Sequence, residues 1–531
     1  MEPAPHGTSA QLSSPVRYGT AAARRVLLAT VLGSSLAFID ATVVNLALPE
    51  LGRGLHASAA GLQWTVNGYA LSLASLILVG GSLGDRFGRK RVFLAGVAWF
   101  ALASLLCGLA PSIELLITAR VLQGIGGALL TPGALAILEA SFAPDDRARA
   151  IGAWSGLGGI GGALGPFLGG WLLQIGSWRL LFLINVPVAA LVLWVAHRHV
   201  PESRDPAAAR GFDIAGLLTG IVGLGGLTYG FTAWPAHGAG SPVVLIPLAL
   251  GVLGMAAFVL AELRAPHPMV PPEIFRHRAF TGANLVTFLV YAANGGVFFL
   301  VVVNLQVVAG YPALAAGLSM LPITVIMLLL SARGGALGQR IGPRIPMTAG
   351  PLVCAAALLL MSTIGPHAPY ATRVLPAVIL FGLGLALLVA PLTATALGAL
   401  DDAHAGIASG VNNAVARAAG LLAVAVLPLA AGLGSGSLTD AAALHPVYHH
   451  AMLLCAALML AGSLTAFLTV PTRPPTTSST PSPHSPDSAD STPTPAITAG
   501  RTPAIPHRSF CDPASPPIPP RDSHPIPSSP R

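Results

Sequence analysis

Long uninterrupted apolar stretches dominate this sequence of 531 residues. An α-helix needs about 20 mainly apolar residues to cross the hydrocarbon core of a bilayer. Membrane-spanning β-strands would be about half as long and would alternate between apolar and polar residues. The sequence therefore predicts an all-α integral membrane protein with fourteen transmembrane helices, at 26–48, 63–83, 92–109, 113–138, 150–174, 180–197, 213–233, 243–262, 280–308, 314–333, 346–363, 372–399, 406–429 and 449–470.

The charged residues agree with a membrane location and set an orientation. Only 9% of residues are charged and 53% are hydrophobic, whereas soluble proteins carry about 25% charged residues. The net charge of +8 would suit nucleic acid, but eighteen basic residues lie in loops on one side of the predicted helices and three, Arg53, Arg179 and Arg373, on the other. By the positive-inside rule, both termini should face the cytoplasm of a plasma-membrane protein that binds no nucleic acid.

An internal repeat divides the chain. The stretch "GGSLGDRFGRKRVFLAG" at 80–96 recurs as "GGALGQRIGPRIPMTAG" at 334–350, an offset of 254 residues. The same offset carries the start of the first predicted helix, near Val26, to Phe280, where the ninth begins. Parallel repeats of six helices are a known transporter architecture. The predicted organisation is an N-terminal segment (1–25), a six-helix bundle (26–197), a linker with two inserted helices (198–279), a second six-helix bundle (280–470) and a disordered Pro/Ser/Thr-rich tail (471–531).

The first copy of the repeat carries a recognisable loop. "GSLGDRFGRKR" (81–91) resembles the cytoplasmic loop signature of the major facilitator superfamily, through Gly81, Gly84, Asp85, Arg86, Gly88, Arg89 and Lys90. The resemblance implies a latch that stabilises the outward-facing state, in which Asp85 pairs with arginines or a helix N-terminus between the two halves. Alternatively, the basic residues only set topology. Gln339 and Pro343 replace Asp85 and Arg89 in the second copy, so a latch should be one-sided.

The first predicted helix contains a carboxylate. "LAFIDATVVNLALPEL" (36–51) resembles the first-helix signature of the 14-helix drug:proton antiporters of that superfamily. Asp40 is the only acid well inside this span. An intramembrane carboxylate is costly and usually functional, and burial favours its protonated form. Asp40 is therefore a candidate proton carrier; the alternative is an ion pair that only pins helices together.

Arg120 is the candidate partner of Asp40. "RVLQGIGGALLTPG" (120–133) resembles the fourth-helix signature of the family, in which the arginine is linked to proton transfer. Asp40 lies eight residues before the outer end of its helix and Arg120 seven after the outer start of the fourth, which puts both roughly 10–12 Å deep. We predict that the two are coupled directly, through water or through Gln123. A purely structural role for Arg120 is the alternative.

The fifth predicted helix is rich in glycine. In "GLGGIGGALGPFLGGWL" (156–172), Gly161, Gly165 and Gly169 recur every four residues on one face, Pro166 removes a backbone donor, and Gly170 belongs to a neighbouring bare strip. The stretch resembles the fifth-helix motif that separates exporters of the superfamily from importers. Ordinary close packing of two helices is the alternative.

The resemblance extends over about residues 25–470 and implies an exporter of lipophilic drugs or antibiotics that exchanges its substrate for protons by alternating access. We expect no enzymatic activity, no metal site, no cofactor beyond the proton gradient, and a monomer in the bilayer. Neutral or weakly charged compounds are slightly favoured, because the later spans lack a well-buried acid. The candidate cavity residues are Asn294, Asn304, Gln306, Asn412 and Asn413; helix–helix hydrogen bonding is an equally open role for the last two.

Two other functions remain open on the same fold. An exporter of an endogenous metabolite, lipid or siderophore would share all of these motifs. A transport-dead membrane sensor on the same fold would not need Asp40, Arg120 and Asp85 intact.

Overall fold

The computed structural model describes residues 16–204, 213–265, 268, 270–400, 405–433 and 438–472. Most of the predicted tail and N-terminal segment lie outside these described residues. The α-helices within them are α1 (Ala21–Gly54), α2 (Ala59–Phe87), α3 (Arg89–Leu109), α4 (Ile113–Ser141), α5 (Pro144–Ile175), α6 (Arg179–Leu183), α7 (Asn185–His199), α8 (Ile214–His237), α9 (Pro242–Arg264), α10 (Arg278–Val307), α11 (Ala313–Ser319), α12 (Leu321–Ile341), α13 (Arg344–Met361), α14 (Leu375–Leu397), α15 (Ala405–Ala430) and α16 (Ala441–Thr469).

Each predicted span coincides with a helix, and the pairs α6–α7 and α11–α12 each form one span. In the described part of the chain, twelve helical segments are long and apolar enough to cross a membrane. A thirteenth is added if α2, bent by 49° between Ile77 and Val79, counts as one span. The side chains of several residues in α5 are not described. The prediction of an all-α multi-pass membrane protein is confirmed, and the count of fourteen spans stays a prediction.

Proline explains the two breaks within spans. Pro187 lies in the first turn of α7 and Pro322 in the first turn of α12. Proline has no amide hydrogen and its ring clashes with the carbonyl four residues earlier, so a helix restarts at this point rather than continuing. The break before α7 places Asn185 at the start of a new helix, inside the bundle.

The helices group into two halves and an insert. The first half contains α1–α7, with extensive contacts of α4 with α2 and α3 and of α1 with α5. The second half contains α10–α16, with the corresponding contacts of α14 with α12 and α13 and of α10 with α15. The insert helices α8 and α9 pack on each other, and α8 also contacts α2 and α15. The insert therefore touches both halves.

The two ends of the bundle differ in how the halves meet. We define the terminal face as the end where α1 begins and α16 ends, and the opposite face as the other end. One cluster of buried apolar residues joins the opposite-face part of the first half, from Val43 to Leu51 for example, with the second half. The described residues in the terminal-face part of the first half, including Val26 and Phe93, form a separate cluster. Among the described residues, the buried apolar cluster at the opposite face thus spans both halves, whereas the cluster at the terminal face belongs to the first half alone.

The sequence repeat corresponds to a structural repeat. Gly88 between α2 and α3 has φ +112°, and Gly342 between α12 and α13 has φ +88°, a backbone region that favours glycine. A Cβ atom on Gly80 would overlap the carbonyl oxygen of Ala128 in α4. A Cβ atom on Gly334 would overlap the carbonyl oxygen of Ala386 in α14. The repeated glycines therefore serve the same turn and the same helix contact in both halves.

Candidate proton and substrate site

Asp40 and Arg120 meet in the interior of the first half. Asp40 on α1 is 2% exposed and Arg120 on α4 is 1% exposed. Arg120 Nη1 donates a hydrogen bond to Asp40 Oδ2 at 2.5 Å, which makes a direct ion pair. Removing one partner of a buried pair leaves an uncompensated charge and typically costs about 3–5 kcal/mol. The Asp40–Arg120 ion pair therefore joins α1 to α4 in the interior of the first half.

Gln123 lies one helical turn beyond Arg120 and touches both charges. Its Nε2 donates to Asp40 Oδ1 at 2.9 Å, and its Oε1 accepts from Arg120 Nη1 at 2.6 Å. Gln123 Nε2 also donates to Ser104 Oγ on α3 at 2.8 Å. The amide thus fixes both members of the pair relative to each other, in the place where the sequence predicted a bridging group.

Helix α2 holds the other side of Arg120. Arg120 Nε donates to the backbone carbonyl of Thr65 at 3.0 Å. The guanidinium carbon lies 4.3 Å from the ring centroid of Tyr69, which is within cation–π range. Since Thr65 and Tyr69 are one turn apart, α2 fixes both the position and the tilt of the guanidinium. The pair is therefore sensitive to movement of three helices, α1, α2 and α4.

Sequence reasoning missed two members of the network, Asn185 and Ser104. Asn185 Nδ2 lies 3.5 Å from Asp40 Oδ1 and donates to Ser104 Oγ at 3.3 Å. Asn185 lies within "WRLLFLINVPVA", which resembles a sixth-helix signature of the 14-helix group, so the motif contained the residue although its role was not visible. Ser104 could not be recognised as part of this network from the sequence, because a serine in an apolar helix usually forms a hydrogen bond with its own backbone.

A cavity of about 200 Å³ lies between the halves, next to the ion pair. Its walls come from α1, α2 and α4 of the first half and from α10 and α15 of the second. Arg120 lines it from the first half, and Arg417 lines it from the second. The arrangement brings the buried pair into contact with a space that both halves enclose.

None of the five predicted cavity residues is among the residues that line this cavity. Asn412 Nδ2 donates to Asn284 Oδ1 and to Thr287 Oγ1, at 3.2 and 2.8 Å, so it joins α15 to α10. Asn304 Nδ2 donates to the carbonyl of Ile364 at 3.1 Å. The structure assigns these two side chains to helix contacts, which was the alternative left open for Asn412.

The other three predicted cavity residues lie elsewhere. Gln306 lines a different cavity, at the opposite face, and its Nε2 donates to the carbonyl of Leu46 in the first half at 3.1 Å. Asn413 is exposed, and its Nδ2 donates to the carbonyl of Ser409 in its own helix. Asn294 is half-buried. These three residues are not among those that line the cavity between the halves, and their role in substrate binding stays a prediction.

The charged loop of the repeat interacts within the first half and with the linker after α7. Arg89 Nη2 pairs with Asp85 Oδ1 at 2.8 Å, and Arg89 Nη1 donates to the carbonyl of Ala136 in α4. Lys90 Nζ donates to the carbonyl of His197 at 2.8 Å. The described contacts of Asp85 and Lys90 lie within the first half, and the pairing between halves stays a prediction.

The remaining loop residues support the turn. Gly88 has a backbone conformation that favours glycine, and a Cβ atom on it would lie 2.7 Å from Glu202 Oε1. The Arg86 guanidinium lies 5.4 Å from the ring centroid of Phe87. Gly84 faces Arg89, and Gly81 faces Pro132 at an ordinary contact distance.

The glycines of α5 permit close contact with two neighbours. A Cβ atom on Gly165 would overlap Thr42 of α1, and one on Gly169 would lie 3.0 Å from Val43 of α1. A Cβ atom on Gly170 would lie 2.5 Å from the Cα atom of Leu314 in α11 of the second half. Gly165 and Gly169 therefore pack α5 on α1 within the first half, and Gly170 packs α5 against α11 of the second half. For the other two predicted motif residues, Gly161 and Pro166, the structure describes the helical backbone and nothing further.

Two bundles of antiparallel helices, a cavity between them and a buried ion pair beside it define a membrane transporter rather than an enzyme. The family model of the Major Facilitator Superfamily matches residues 30–424. The chain belongs to this superfamily, whose members carry small molecules across membranes.

Individual relatives and solved structures agree with that assignment. The chain is 38% identical over 403 residues to Multidrug resistance protein Stp of Mycobacterium tuberculosis, an alignment that covers 76% of this chain and 74% of that protein. It is 37% identical to the Tetracenomycin C resistance and export protein of Streptomyces glaucescens, again with 76% and 74% covered. A bacterial homolog of the human lysosomal transporter Spinster matches with a TM-score of 0.61 at 19% identity, over 85% of this chain and 97% of the other. This last likeness concerns the fold alone.

Proposed function

We propose that this protein exports lipophilic drugs or antibiotics in exchange for protons. The relatives named above are resistance and export proteins, and the identity to them extends over three quarters of the chain. The observation that carries the proton coupling is the buried Asp40–Arg120 pair beside a cavity that both halves line. A carboxyl group that is out of contact with water and paired with one cation has two states, ionised and protonated, with different helix contacts.

Asp40 carries the proton in this scheme. When Asp40 is ionised, Arg120 and Gln123 tie α1 to α4, as in the structure. Protonation removes the attraction between the charges, while Arg120 keeps its bonds to Gln123 and Thr65 and its contact with the Tyr69 ring. Because α1 also packs against α5 and α10, a change in the α1–α4 contact can alter how the halves meet. Protonation from outside would drive the return to the state that loads substrate from the cytoplasm.

The termini are placed on the cytoplasmic side of the plasma membrane, on the strength of the eighteen-to-three distribution of basic residues. The terminal face is then cytoplasmic, and the state described above is open to the inside. The Asp85–Arg89 pair within one half fits a latch that has been released in this state. The protein acts as a monomer, since each chain supplies both halves of the cavity, and needs no cofactor beyond the proton gradient.

The function is tested with a resistance panel in a host that lacks its own pumps, comparing the wild type with Asp40→Asn. The wild type is expected to raise the inhibitory concentration of some lipophilic compounds, and Asp40→Asn is expected to lose that gain at equal membrane abundance. Arg53→Gln, at an exposed arginine on the opposite face, is the matched control. Proteoliposomes with an imposed pH gradient give the direct measurement. Full gradient-driven export by Asp40→Asn would contradict the proposal.

A further inference from the structure

The cavity between the halves contains an unusual concentration of polar atoms without hydrogen-bond partners. In the described part of the chain, the buried side-chain atoms that lack a partner include Asn45 Oδ1, Asn67 Oδ1 and Nδ2, the Tyr69 hydroxyl and Arg417 Nε. All four residues line this one cavity. A buried polar group without a partner destabilises the folded state, so several in one place indicate that a ligand supplies the missing bonds.

The charge of the walls is one-sided. Arg120 and Arg417 both line the cavity, and none of the lining residues described is Asp or Glu. Asp40 neutralises Arg120 from behind, whereas no carboxylate among the described lining residues neutralises Arg417. A cation placed in this space would lose its hydration and meet a like charge, while an acceptor group would gain a charge-assisted hydrogen bond.

The size and the apolar walls limit which part of a substrate fits. A cavity of about 200 Å³ is smaller than the roughly 300–1,000 Å³ that buries a whole drug-sized ligand. Phe298 and Phe299 of α10 offer aromatic surface beside the polar groups. The space therefore suits one end of a larger molecule: an aromatic ring bearing an oxygen acceptor.

We propose that this cavity binds the acceptor-bearing end of the transported compound, and that Arg417 makes the protein select aromatic compounds with carbonyl, phenolate or carboxylate groups over permanent cations. This inference rests on the proposed function, because it assigns the cavity to the exported compound. The donors that await an acceptor come from both halves, Asn67 Nδ2 and the Tyr69 hydroxyl from the first and Arg417 Nε from the second, whereas Asn45 Oδ1 and Asn67 Oδ1 would take a hydroxyl or amide hydrogen of the same compound. A bound acceptor therefore bridges the two halves.

Two xanthene dyes test the selection at nearly constant shape. Fluorescein carries carboxylate and phenolate groups, and rhodamine 123 is a monocation on the same ring system. Their affinities for the purified full chain are measured by fluorescence polarisation without any pH gradient. The wild type should bind fluorescein at least about tenfold more tightly, the effect of one charge-assisted hydrogen bond. Equal or tighter binding of rhodamine 123, or no binding of fluorescein, would overturn the proposal.

Variants of Arg417 test whether this residue causes the preference for fluorescein over rhodamine 123. Arg417→Gln should lower fluorescein affinity about tenfold and remove the preference, and Arg417→Lys should keep part of it. Arg373→Gln, at an exposed arginine of the second half, is the matched control and should bind like the wild type. Because Arg417→Gln removes an unneutralised charge, its melting temperature should not fall, which separates a binding effect from misfolding. An unchanged preference in a folded Arg417→Gln protein would refute the role of Arg417.

A second change approaches the same cavity from the first half. Asn67→Asp places a carboxylate among the cavity groups and should shift the preference towards rhodamine 123; a preference unchanged in that protein would also count against the proposal. Failure of this inference differs from failure of the proposed function. The dye preference is measured at equilibrium and does not depend on Asp40, whereas loss of coupling in Asp40→Asn does not depend on which dye binds.

Discussion

Gly170→Ala should prevent the halves from closing at the opposite face. A Cβ atom on Gly170 would lie 2.5 Å from the Leu314 Cα atom, 3.0 Å from the Leu314 nitrogen and 3.2 Å from the Ala313 carbonyl oxygen. All three are backbone atoms, so no side-chain rotation relieves the overlap. Carbon atoms in contact sit about 3.5–4.0 Å apart, so α5 and α11 would have to separate by about 1 Å.

The cost can be converted into a population shift. Overpacking of a well-packed interface typically costs about 1–3 kcal/mol. The cost falls only on states in which α5 and α11 touch, because it disappears when the opposite face opens. A tenfold change in an equilibrium constant corresponds to about 1.4 kcal/mol. The equilibrium between the two states should therefore shift roughly 5- to 150-fold towards the state open at the opposite face. Transport should slow, since every cycle needs both faces to close in turn.

Distances between spin labels at the two faces measure this shift. One label pair spans the halves at the terminal face, at Arg25 and Arg340, and another at the opposite face, at Glu114 and Arg373; all four positions are exposed. Because the native sequence contains four cysteines, the labels are introduced into a cysteine-free background with wild-type transport. Gly170→Ala should shorten the first distance and lengthen the second.

Gly169→Ala is the matched control for this experiment. Its added Cβ atom would lie 3.0 Å from Val43, a side chain of the same half, so any cost stays within the first half. The label distances of Gly169→Ala should therefore match the wild type. If Gly170→Ala also gave wild-type distances, the contact between α5 and α11 would not limit closure and the reasoning would be wrong.

Two further predictions concern stability. Gly88→Ala should lower the free energy of unfolding by about 1–3 kcal/mol, because Gly88 has φ +112° and its new Cβ atom would meet Glu202; Gly81→Ala, which meets only Pro132 at 3.7 Å, is the control. Thermal melts in detergent compare the two, and equal melting temperatures would contradict the role of the turn. Asn412→Leu should also lower the melting temperature, by removing the bond to Thr287, and leave the range of exported compounds unchanged. An altered resistance profile in Asn412→Leu would return this residue to the substrate cavity.

The depth of a residue along its helix could be predicted from the sequence more reliably than the direction of its side chain around the helix axis. Asp40 and Arg120 were paired by counting residues from the predicted helix ends, and the structure places them in contact. Depth needs only the helical rise and a boundary, and apolar runs give the boundary within a few residues. The same counting could not place Asn412 or Asn304, because their rotational positions depend on how α10 and α15 pack.

The rest of the site depends on contacts between distant segments. Tyr69 supports Arg120 through its ring, and Ser104 joins Gln123 to Asn185, although no local pattern marks either residue. The break before α7 was not predicted either, although Pro187 marked it, because the apolar run continues across it. Arg417 lies inside the predicted span 406–429, but its unpartnered Nε became meaningful only when the cavity around it was known.

The central claim is that the Asp40 carboxyl group carries the exchanged proton. The most direct test is proton uptake by proteoliposomes, followed with a pH-sensitive dye, while a compound identified in the resistance panel flows down an imposed gradient. The wild type should move protons against the compound, whereas Asp40→Asn should exchange the compound at equal pH and move no protons. Proton movement at the wild-type rate through Asp40→Asn would contradict the account.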